Sequence, residues 1–333
     1  MAVLARRLLL SAALALAATG VQAQAPILIK FSHVVAPDTP KGRAAQRFKE
    51  LAEANTKGRV KVEVYPNSQL YKDKEELEAL QLGSVQMLAP SLSKFGPLGA
   101  KQFEMFDLPY LFRTEQQFVD VTGGKIGQSL LASLENKGIK GLAIWSGGFH
   151  VFSANKPLLK PADMKGLKMR IPSSKVLEAS LRLMGALPQT LPFSEVYQAL
   201  QTGVVDGTEN ILSSSTSQKY YEVQKHITLT NHTHTGYAVV VNRKFWEGLP
   251  ADIQAALADA MKQATDYEMH LVVQENQEAL AELRKNSRVQ VHDLTDAERD
   301  QWRNTLLPVH KEMEGRIGAG LLNQVYQATG AGK

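Results

Sequence analysis

The chain has 333 residues and no cysteine, and 38 Lys and Arg against 33 Asp and Glu give it a formal net charge of +5. Without cysteine it can form no disulfide, no thiolate nucleophile and no Cys-ligated metal site. The basic residues are not gathered into a Lys/Arg-rich block, which argues against nucleic acid as a partner. A chain of this length typically folds into about two domains.

Residues 1–23 have the pattern of a cleavable secretory signal peptide. Arg6 and Arg7 precede an apolar run over residues 8–18, and Val21-Gln22-Ala23 supplies a small-x-small cleavage pattern. The apolar run is too short to span a bilayer, which takes about 20 residues. We therefore predict export with cleavage after Ala23.

Strands and helices alternate in the first part of the mature chain. Apolar and polar residues alternate over 27–32, which predicts a strand, and Thr39-Pro40 is typical of the start of a helix. A second helix is predicted to open with a capping box at residues 73–76. Further strands are predicted over 60–64 and 85–90. This order is typical of a parallel sheet covered by helices.

The same order returns in the second part of the chain. A strand over 167–171 precedes a helix over 174–184, and Ser194 is predicted to cap the next helix. A following strand is predicted to end in a loop at Asp206-Gly207. Other short strands are predicted at 142–145, 227–229 and 237–241. We place the junction of the two units at residues 146–153, because Gly147-Gly148 interrupts the pattern.

The region from Ala251 to about Arg284 contains no Gly and no Pro and is rich in good helix formers. A helix of that length extends about 50 Å, which exceeds the diameter of one small domain. It must therefore kink or bridge two lobes. Thr295–Glu298 is a second predicted capping box, at the start of the C-terminal helix.

Arg170 is the most informative candidate for a binding residue. It ends a predicted strand and stands just before Pro172-Ser173-Ser174 and a helix. Ligands of α/β sheets bind at the carboxyl ends of strands, where helix N-termini favour anions. A guanidinium there can hold a carboxylate through two parallel hydrogen bonds. The alternative is a surface Arg in a structural ion pair.

Other polar residues follow the strands of both units. Asn210 is an amide that could donate to a carboxylate, and its neighbour Glu209 is expected to orient Arg170 or a hinge group. His33 and Lys41 flank the first strand-to-helix turn, and Ser91 and Ser93 follow the third strand. Each also has an ordinary structural explanation, as a turn Asn or a solvated helix Lys.

Motifs of catalysis and of metal or nucleotide binding are missing from the sequence. His232-x-His234 lacks a third ligand, and there is no HExxH, Walker A, G-x-G-x-x-G or G-x-S-x-G pattern. We therefore predict no metal, no cofactor and no enzymatic activity. An enzyme acting on an acid remains the competing class, with His33 and His150 as its obvious acid or base.

Several segments together resemble the solute-binding receptors of TRAP (tripartite ATP-independent periplasmic) transporters, and the dicarboxylate-binding branch most closely. The resemblance runs from about Ile27 to beyond Trp246. The segments that carry it are Phe31-Ser32-His33, residues 65–70, residues 106–112, Lys168-Met169-Arg170, residues 193–207 and Glu209-Asn210.

The resemblance implies an α/β fold like that of periplasmic binding proteins. Two parallel-type α/β lobes would be joined by hinge strands and long bridging helices. Lobe I would contain residues 24–147 and 236–275, and lobe II would contain residues 148–235 and 276–333.

The resemblance also assigns roles in the cleft. Arg170 would be the principal carboxylate clamp and Asn210 a neighbouring donor. The remaining predicted lining residues are Phe193 as an apolar wall, Lys41, Ser91 and Ser93 at the opposite carboxylate, and Tyr237.

The implied function is a monomeric periplasmic receptor for a small organic acid, most simply succinate, malate or fumarate. Its partners would be the small and large membrane subunits of a sodium-driven transporter. A monocarboxylate or hydroxy acid is an alternative ligand, and a sensor for a membrane kinase is an alternative role.

His150 departs from the pattern of the relatives, which commonly carry Arg or Lys at this position. A histidine with an ordinary pKa is mostly neutral at neutral pH. If His150 supplies the second positive charge, dicarboxylate affinity is expected to fall as the pH rises through about 5.5–7.5.

Overall fold

Ten strands form the framework of the structure, a computed structural model that describes residues 25–331. The predicted signal peptide, residues 1–23, lies outside the described residues. The strands are β1 (Ile27–Ser32), β2 (Val60–Tyr65), β3 (Met87–Leu88), β4 (Ile139–Ala154), β5 (Lys168–Ile171), β6 (Leu187–Thr190), β7 (Gly207–Ile211), β8 (His226–Thr228), β9 (His234–Asn242) and β10 (Gln290–His292).

The strands lie in the order β2-β1-β3-β9-β4-β7-β5-β6, with β8 and β10 beside the end of β4. The strands β2, β1 and β3 are parallel, and so are β6, β5 and β7. Between these groups, β9 and β4 run antiparallel to one another. The α/β prediction is therefore confirmed, with two parallel groups joined by a central antiparallel pair.

The long strand β4 runs through the predicted junction at residues 146–153, where its pairing changes from β9 (residues 139–149) to β7 (residues 150–154). It continues without a break through Gly147 and Gly148, where its register against β9 shifts between Ser146 and Gly148. Gly148 has φ +93°, and a Cβ at Gly147 would lie 2.8 Å from Thr235 Cγ2. Because both positions need glycine, the pair marks a β-bulge within a strand, not a linker.

Twelve α-helices lie in the described part of the chain. The first is N-capped by Thr39, whose hydroxyl accepts from Gly42 N at 3.2 Å, as predicted. The helices are α1 (Pro40–Asn55), α2 (Glu76–Gln81), α3 (Glu115–Gly123), α4 (Lys125–Ser133), α5 (Lys175–Leu183), α6 (Val196–Gln201), α7 (Leu212–Ser217), α8 (Arg243–Glu247), α9 (Ala251–Lys285), α10 (Asp296–Leu306), α11 (Pro308–Ile317) and α12 (Ala319–Thr329).

Of the other predicted helix caps, two are wrong and one is confirmed. The capping box at Thr295 is present, since its hydroxyl accepts from Glu298 N. Asp73 does not cap α2, because its carboxylate instead binds Lys94 and the backbone of Phe193. Ser194 lies inside a 3-10 turn over 193–195 that precedes α6.

The strand β7 begins at Gly207, whereas the sequence predicts that a strand ends there in a loop. Gly207 lies against β4 so closely that a Cβ would be 2.3 Å from Ser153 O. The glycine therefore allows two strands to approach, and it does not form a loop. As a result, Asn210 lies within a buried strand and not after one.

The long helix α9 extends over 35 residues, as predicted, and contributes to the cores of both parts of the sheet. Ile253, Leu257 and Met261 pack with the apolar residues of β1, β2 and α1. Further along, Ala279 and Leu283 pack with residues of β4, β8 and the segment before β10. The helix thus extends from the β1–β2 side of the sheet to the β8–β10 side. None of the helices in residues 25–331 has the length and apolar character of a membrane span.

Candidate ligand-binding site

A cavity with about 580 Å³ of space outside the protein atoms, including its mouth, receives side chains from both parallel groups of strands. Eight of the nine predicted site residues line it, and His33 does not. The lining residues are Val34, Val35, Lys41, Asp73, Ser91, Ser93, Lys94, Asp107, His150, Arg170, Pro172, Phe193, Glu209, Asn210, Ser214, Thr235, Gly236 and Tyr237.

Arg170 enters the cavity from β5 and is held in place by the backbone. Its Nε and Nη2 atoms donate to the carbonyl oxygen of Leu191 at 3.1 and 2.8 Å. The residue is only 4% exposed and makes no ion pair with any residue in the range 25–331. A buried guanidinium with its charge unmatched is prepared to bind an anion through its remaining N–H groups.

The Asn210 amide is oriented by its own backbone. Its Oδ1 atom accepts from Ile211 N at 2.9 Å, which leaves Nδ2 to point away from that contact. Nδ2 is buried and has no hydrogen-bond partner among the described residues. Because an unpaired buried donor is unfavourable, this atom needs an acceptor from a ligand or from water.

Lys41 brings a second positive charge from α1. Its Nζ atom donates to Ala89 O at 3.1 Å and lies 3.7 Å from the centre of the Tyr237 ring. Burial, with a smaller contribution from the charge of Lys94, lowers the pKa of Lys41 to about 7. The ammonium makes no ion pair within the part of the chain described, so a ligand carboxylate could supply its counter-charge.

The other predicted lining residues form polar and apolar parts of the wall. Ser91 pairs with Tyr237 through an isolated β-bridge, and Ser93 is buried nearby in sequence. Burial raises the pKa of Tyr237, so its phenol stays neutral. Phe193 packs with Val34 and Val35 in a small apolar cluster, as expected of an apolar wall.

His150 and Glu209 form a buried pair at the cavity. His150 Nδ1 is hydrogen-bonded to the Glu209 carboxylate, and Thr235 contacts the other ring nitrogen. Burial alone would raise the pKa of Glu209, but the nearby charges of His150, His232 and Arg170 hold it below its usual value. Glu209 therefore orients His150 of the strand β4. The charge that His150 can carry is already matched within the protein.

The structure corrects the prediction for His33, which is buried outside the cavity. Its ring packs edge-on against Phe31, with centroids 6.5 Å apart, and burial together with the charge of Lys41 lowers its pKa to about 3. Because successive side chains of a strand alternate, His33 follows Phe31 on the same buried face. It is neither a ligand contact nor an available acid or base.

His232 and His234 do not share a site. His234 pairs with Glu115 at 2.9 Å, whereas His232 stacks on Phe152 with centroids 4.0 Å apart. The ligand-type atoms of His232, His150 and Glu209 all lie within 4.8 Å of one another. Of these atoms only His150 Nδ1 is hydrogen-bonded to the Glu209 carboxylate, whereas His232 Nε2 lies 3.7 Å from it and has no hydrogen-bond partner among residues 25–331.

Three charged residues of the cavity were not found from the sequence: Asp73, Lys94 and Asp107. Lys94 is buried between Asp73 and Glu76, at 2.9 Å from the latter, and its charge is therefore used inside the protein. Asp73 was misinterpreted as a helix cap. Asp107 falls within the segment 106–112 that resembles the family, but that resemblance assigns it no role.

Comparison with known proteins identifies the family of this chain. Residues 31–316 match the family described as bacterial extracellular solute-binding protein, family 7 (DctP). The chain belongs to this family. A relative in Rhodobacter capsulatus, the C4-dicarboxylate-binding periplasmic protein DctP, is 60% identical over 304 residues, 91% of each chain.

Solved structures of TRAP periplasmic solute-binding proteins share the fold of this DctP-family chain. One from Shewanella oneidensis, with bound succinate, has a TM-score of 0.89 and 42% identity, and the match covers 92% of this chain and 100% of the other. One from Pseudomonas aeruginosa PAO1, with bound L-malate, has a TM-score of 0.84 and 41% identity, over 86% and 100%. The resemblance to TRAP solute-binding receptors is confirmed, and this is a family of receptors and not of enzymes.

Proposed function

We propose that the protein is the periplasmic receptor of a TRAP transporter and captures a four-carbon dicarboxylate, such as succinate, malate or fumarate, for sodium-coupled uptake. The observation that carries this proposal is the pair Arg170 and Lys41. Both are buried cations of one cavity, and neither has a carboxylate partner among residues 25–331. Two such charges match the two charges of a dicarboxylate. Relatives named for C4-dicarboxylate binding support the same ligand class.

In this proposal Arg170 and Asn210 bind one carboxylate of the ligand. The guanidinium supplies charge-assisted hydrogen bonds, and the unpartnered Nδ2 of Asn210 supplies another donor. Lys41, Ser91 and Ser93 bind the second carboxylate. Tyr237 holds Lys41 from one side, and Phe193 closes the apolar wall beside the ligand's methylene groups.

Closure of two lobes around the ligand would strengthen these contacts. We propose the division expected from the sequence, with residues 24–147 and 236–275 in lobe I and residues 148–235 and 276–333 in lobe II. The cavity receives Lys41 from the first set and Arg170 from the second. Bringing them together around an anion excludes water, and a lower local dielectric makes each ion contact stronger.

The remaining parts of the proposal concern location and partners. The receptor would be exported through its signal peptide, work as a monomer without a cofactor, and deliver the ligand to small and large membrane subunits. A receptor is favoured over an enzyme because His33 is buried away from the cavity and His150 is bound to Glu209. A general acid or base needs a free site beside the substrate.

Isothermal titration with succinate, malate, fumarate and the monocarboxylates butyrate and lactate tests the proposal. We expect the wild type to bind dicarboxylates at least about 30-fold more tightly, because a buried cation left unpaired by a monocarboxylate is worth roughly 2 kcal/mol or more. Arg170→Lys cannot copy the bidentate geometry and should weaken succinate binding by about 30-fold to 1000-fold.

The matched control is Arg182→Lys, an exposed Arg on α5 that pairs with Glu178. It should bind succinate like the wild type. Unchanged affinity in Arg170→Lys, or equal affinity for butyrate and succinate, would overturn the proposal.

A further inference from the structure

Asp107 is an acid inside a cavity that we assign to an anion. It ends the 3-10 turn Lys101–Asp107, lines the cavity and is 8% exposed. Its Oδ2 atom is buried and has no hydrogen-bond partner in residues 25–331. The proposed function so far gives this carboxyl no role, although it lines the cavity in which the ligand is proposed to bind.

The groups around Asp107 do not neutralise an ionised carboxylate. Burial raises its pKa to about 6 against the opposing hydrogen bonds of Ser174 and Ser93, and the charge of Glu209 acts in the same direction as burial. His150 opposes, but it is bound to Glu209. The other charged groups on elements packed against it are engaged elsewhere: Lys94 with Asp73 and Glu76, Arg316 with Glu104, His310 with Tyr326 and Pro109 O, and His234 with Glu115.

Binding of a dicarboxylate increases the excess of negative charge around Asp107. Arg170 and Lys41 supply two positive charges, which the two ligand carboxylates use completely. An ionised Asp107 would then face the ligand as a like charge in a buried site. With a proton on Oδ2 the same group becomes a hydrogen-bond donor. A hydrogen bond from an O–H group to a carboxylate oxygen is short and strong.

We propose that Asp107 binds the ligand in its protonated form and donates the Oδ2 hydrogen to a ligand carboxylate, so that the receptor takes up a proton from solvent when it captures a dianion. This inference rests on the proposed dicarboxylate function. It makes Asp107 a residue that selects the ligand. Its O–H donor can bind a ligand carboxylate or hydroxyl oxygen but not an apolar ligand group. It also links affinity to pH through a group other than His150.

Proton uptake is measured by titrating succinate at pH 7 in buffers with different ionisation enthalpies. Asp107 is about nine-tenths ionised in the free protein at that pH, so its protonation should add close to one proton per ligand. By linkage, it makes the affinity fall up to tenfold for each pH unit above about 6. Lys41 adds a further fraction of a proton to the uptake, because its own pKa is about 7.

Asp107→Asn carries an amide donor at the same place and needs no proton. We expect its proton uptake at pH 7 to be lower than that of the wild type by about 0.9, and its affinity at pH 8 to exceed that of the wild type about tenfold or more. Lys41→Arg should remove only the part of the proton uptake that comes from Lys41. Asp206→Asn, an exposed carboxylate bonded to Lys168 N, is the control and should keep the uptake of the wild type.

Infrared difference spectra of the wild type make the test independent of how the variants fold. Binding of ¹³C-labelled succinate should produce the stretching band of a protonated protein carboxyl, because the label moves the ligand bands away. The inference is wrong if that band is missing, or if Asp107→Asn takes up as many protons as the wild type. Failure of the wild type to bind any dicarboxylate would instead overturn the proposed function.

Discussion

At the scale of single residues, burial decides which charges the cavity can offer to a ligand. Lys94 and His150 line the cavity as well as Arg170 does, yet each is bound to a buried carboxylate of the protein. Arg170 and Lys41 are bound only to backbone carbonyl oxygens. A carbonyl oxygen carries no full charge and does not neutralise a cation. These two cations are therefore still available to pair with an anion.

The sequence predicted most of these residues for identifiable reasons. Arg170, Lys41, Ser91 and Ser93 all follow strand ends, where sheet topology brings side chains together. The wrong prediction, His33, also follows a strand end, but its register puts it on the face of Phe31. Asp73, Lys94 and Asp107 are recognised only when distant segments meet, because nothing in their local pattern differs from an ordinary surface acid or base.

His33 supplies a prediction about stability. Its pKa is about 3 in the folded protein and about 6.5 when unfolded, so only the unfolded state gains a proton as the pH falls below 6.5. This contribution to stability is complete above pH 6.5 and decreases as the pH falls toward 3. Between pH 7 and pH 5 the wild type should lose about 2 kcal/mol more stability than His33→Phe, as measured by urea unfolding.

The control for this prediction is His270→Gln, at an exposed position of α9. Its stability should change between pH 7 and pH 5 as that of the wild type does. A parallel loss in His33→Phe and in the wild type would show that His33 has no part in the acid sensitivity.

At the scale of elements, β4 shows how local sequence and tertiary packing can disagree. Its central glycines are rare in strands and suggest a break, which is why the sequence placed a junction there. The structure uses them where β4 bulges against β9 and approaches α9. By contrast, β1, the start of α1 and the whole of α9 were predicted nearly to the residue, because their periodicity and caps agree with their burial.

Gly148 is the position where a side chain should be least tolerated. A Cβ there would lie 2.8 Å from Asn276 Nδ2, and the backbone has φ +93°. Asn276 links α9 to β4 by donating to Gly147 O at 3.0 Å. Gly148→Ala should therefore lower the free energy of unfolding by roughly 1–3 kcal/mol in urea titrations.

Gly315→Ala is the matched comparison. Gly315 lies exposed in α11, and nothing lies within 4 Å of an added Cβ. This change should raise the unfolding free energy by roughly 0.5–1 kcal/mol, since Gly weakens a helix interior. Similar stability changes in the two variants would contradict the packing argument for the bulge.

At the scale of the whole molecule, two contacts tie the segment before α2 to the segment before α6 beside the cavity. Asp73 accepts a hydrogen bond from Phe193 N, and Lys72 pairs with Glu195 at 3.0 Å. The first contact is largely buried and the second is about half exposed. Neither can survive if the two parts of the molecule move apart.

These contacts should control how long a ligand stays bound. Asp73→Asn weakens a buried charge-assisted hydrogen bond, and we expect succinate to dissociate about tenfold faster with little change in the association rate. Lys72→Ala removes an exposed ion pair worth about 0–1 kcal/mol and should change the dissociation rate less than about fivefold. Stopped-flow fluorescence measures both rates. Equal dissociation rates in Asp73→Asn and the wild type would exclude a latch at Asp73.

The pairing of β4 with β9 has a consequence for how the cavity can open. The ladder runs from Ile139 with Asn242 to Phe149 with His234, and every residue of β9 is buried. The hydrogen bonds of this ladder lie between the two parallel groups. Opening of the cavity must therefore bend the β4–β9 ribbon without breaking these hydrogen bonds. The amides of β9 should accordingly exchange with deuterium only through global unfolding, equally slowly with and without ligand. In the proposed lobe closure the ribbon would therefore bend as one unit while its ladder stays paired.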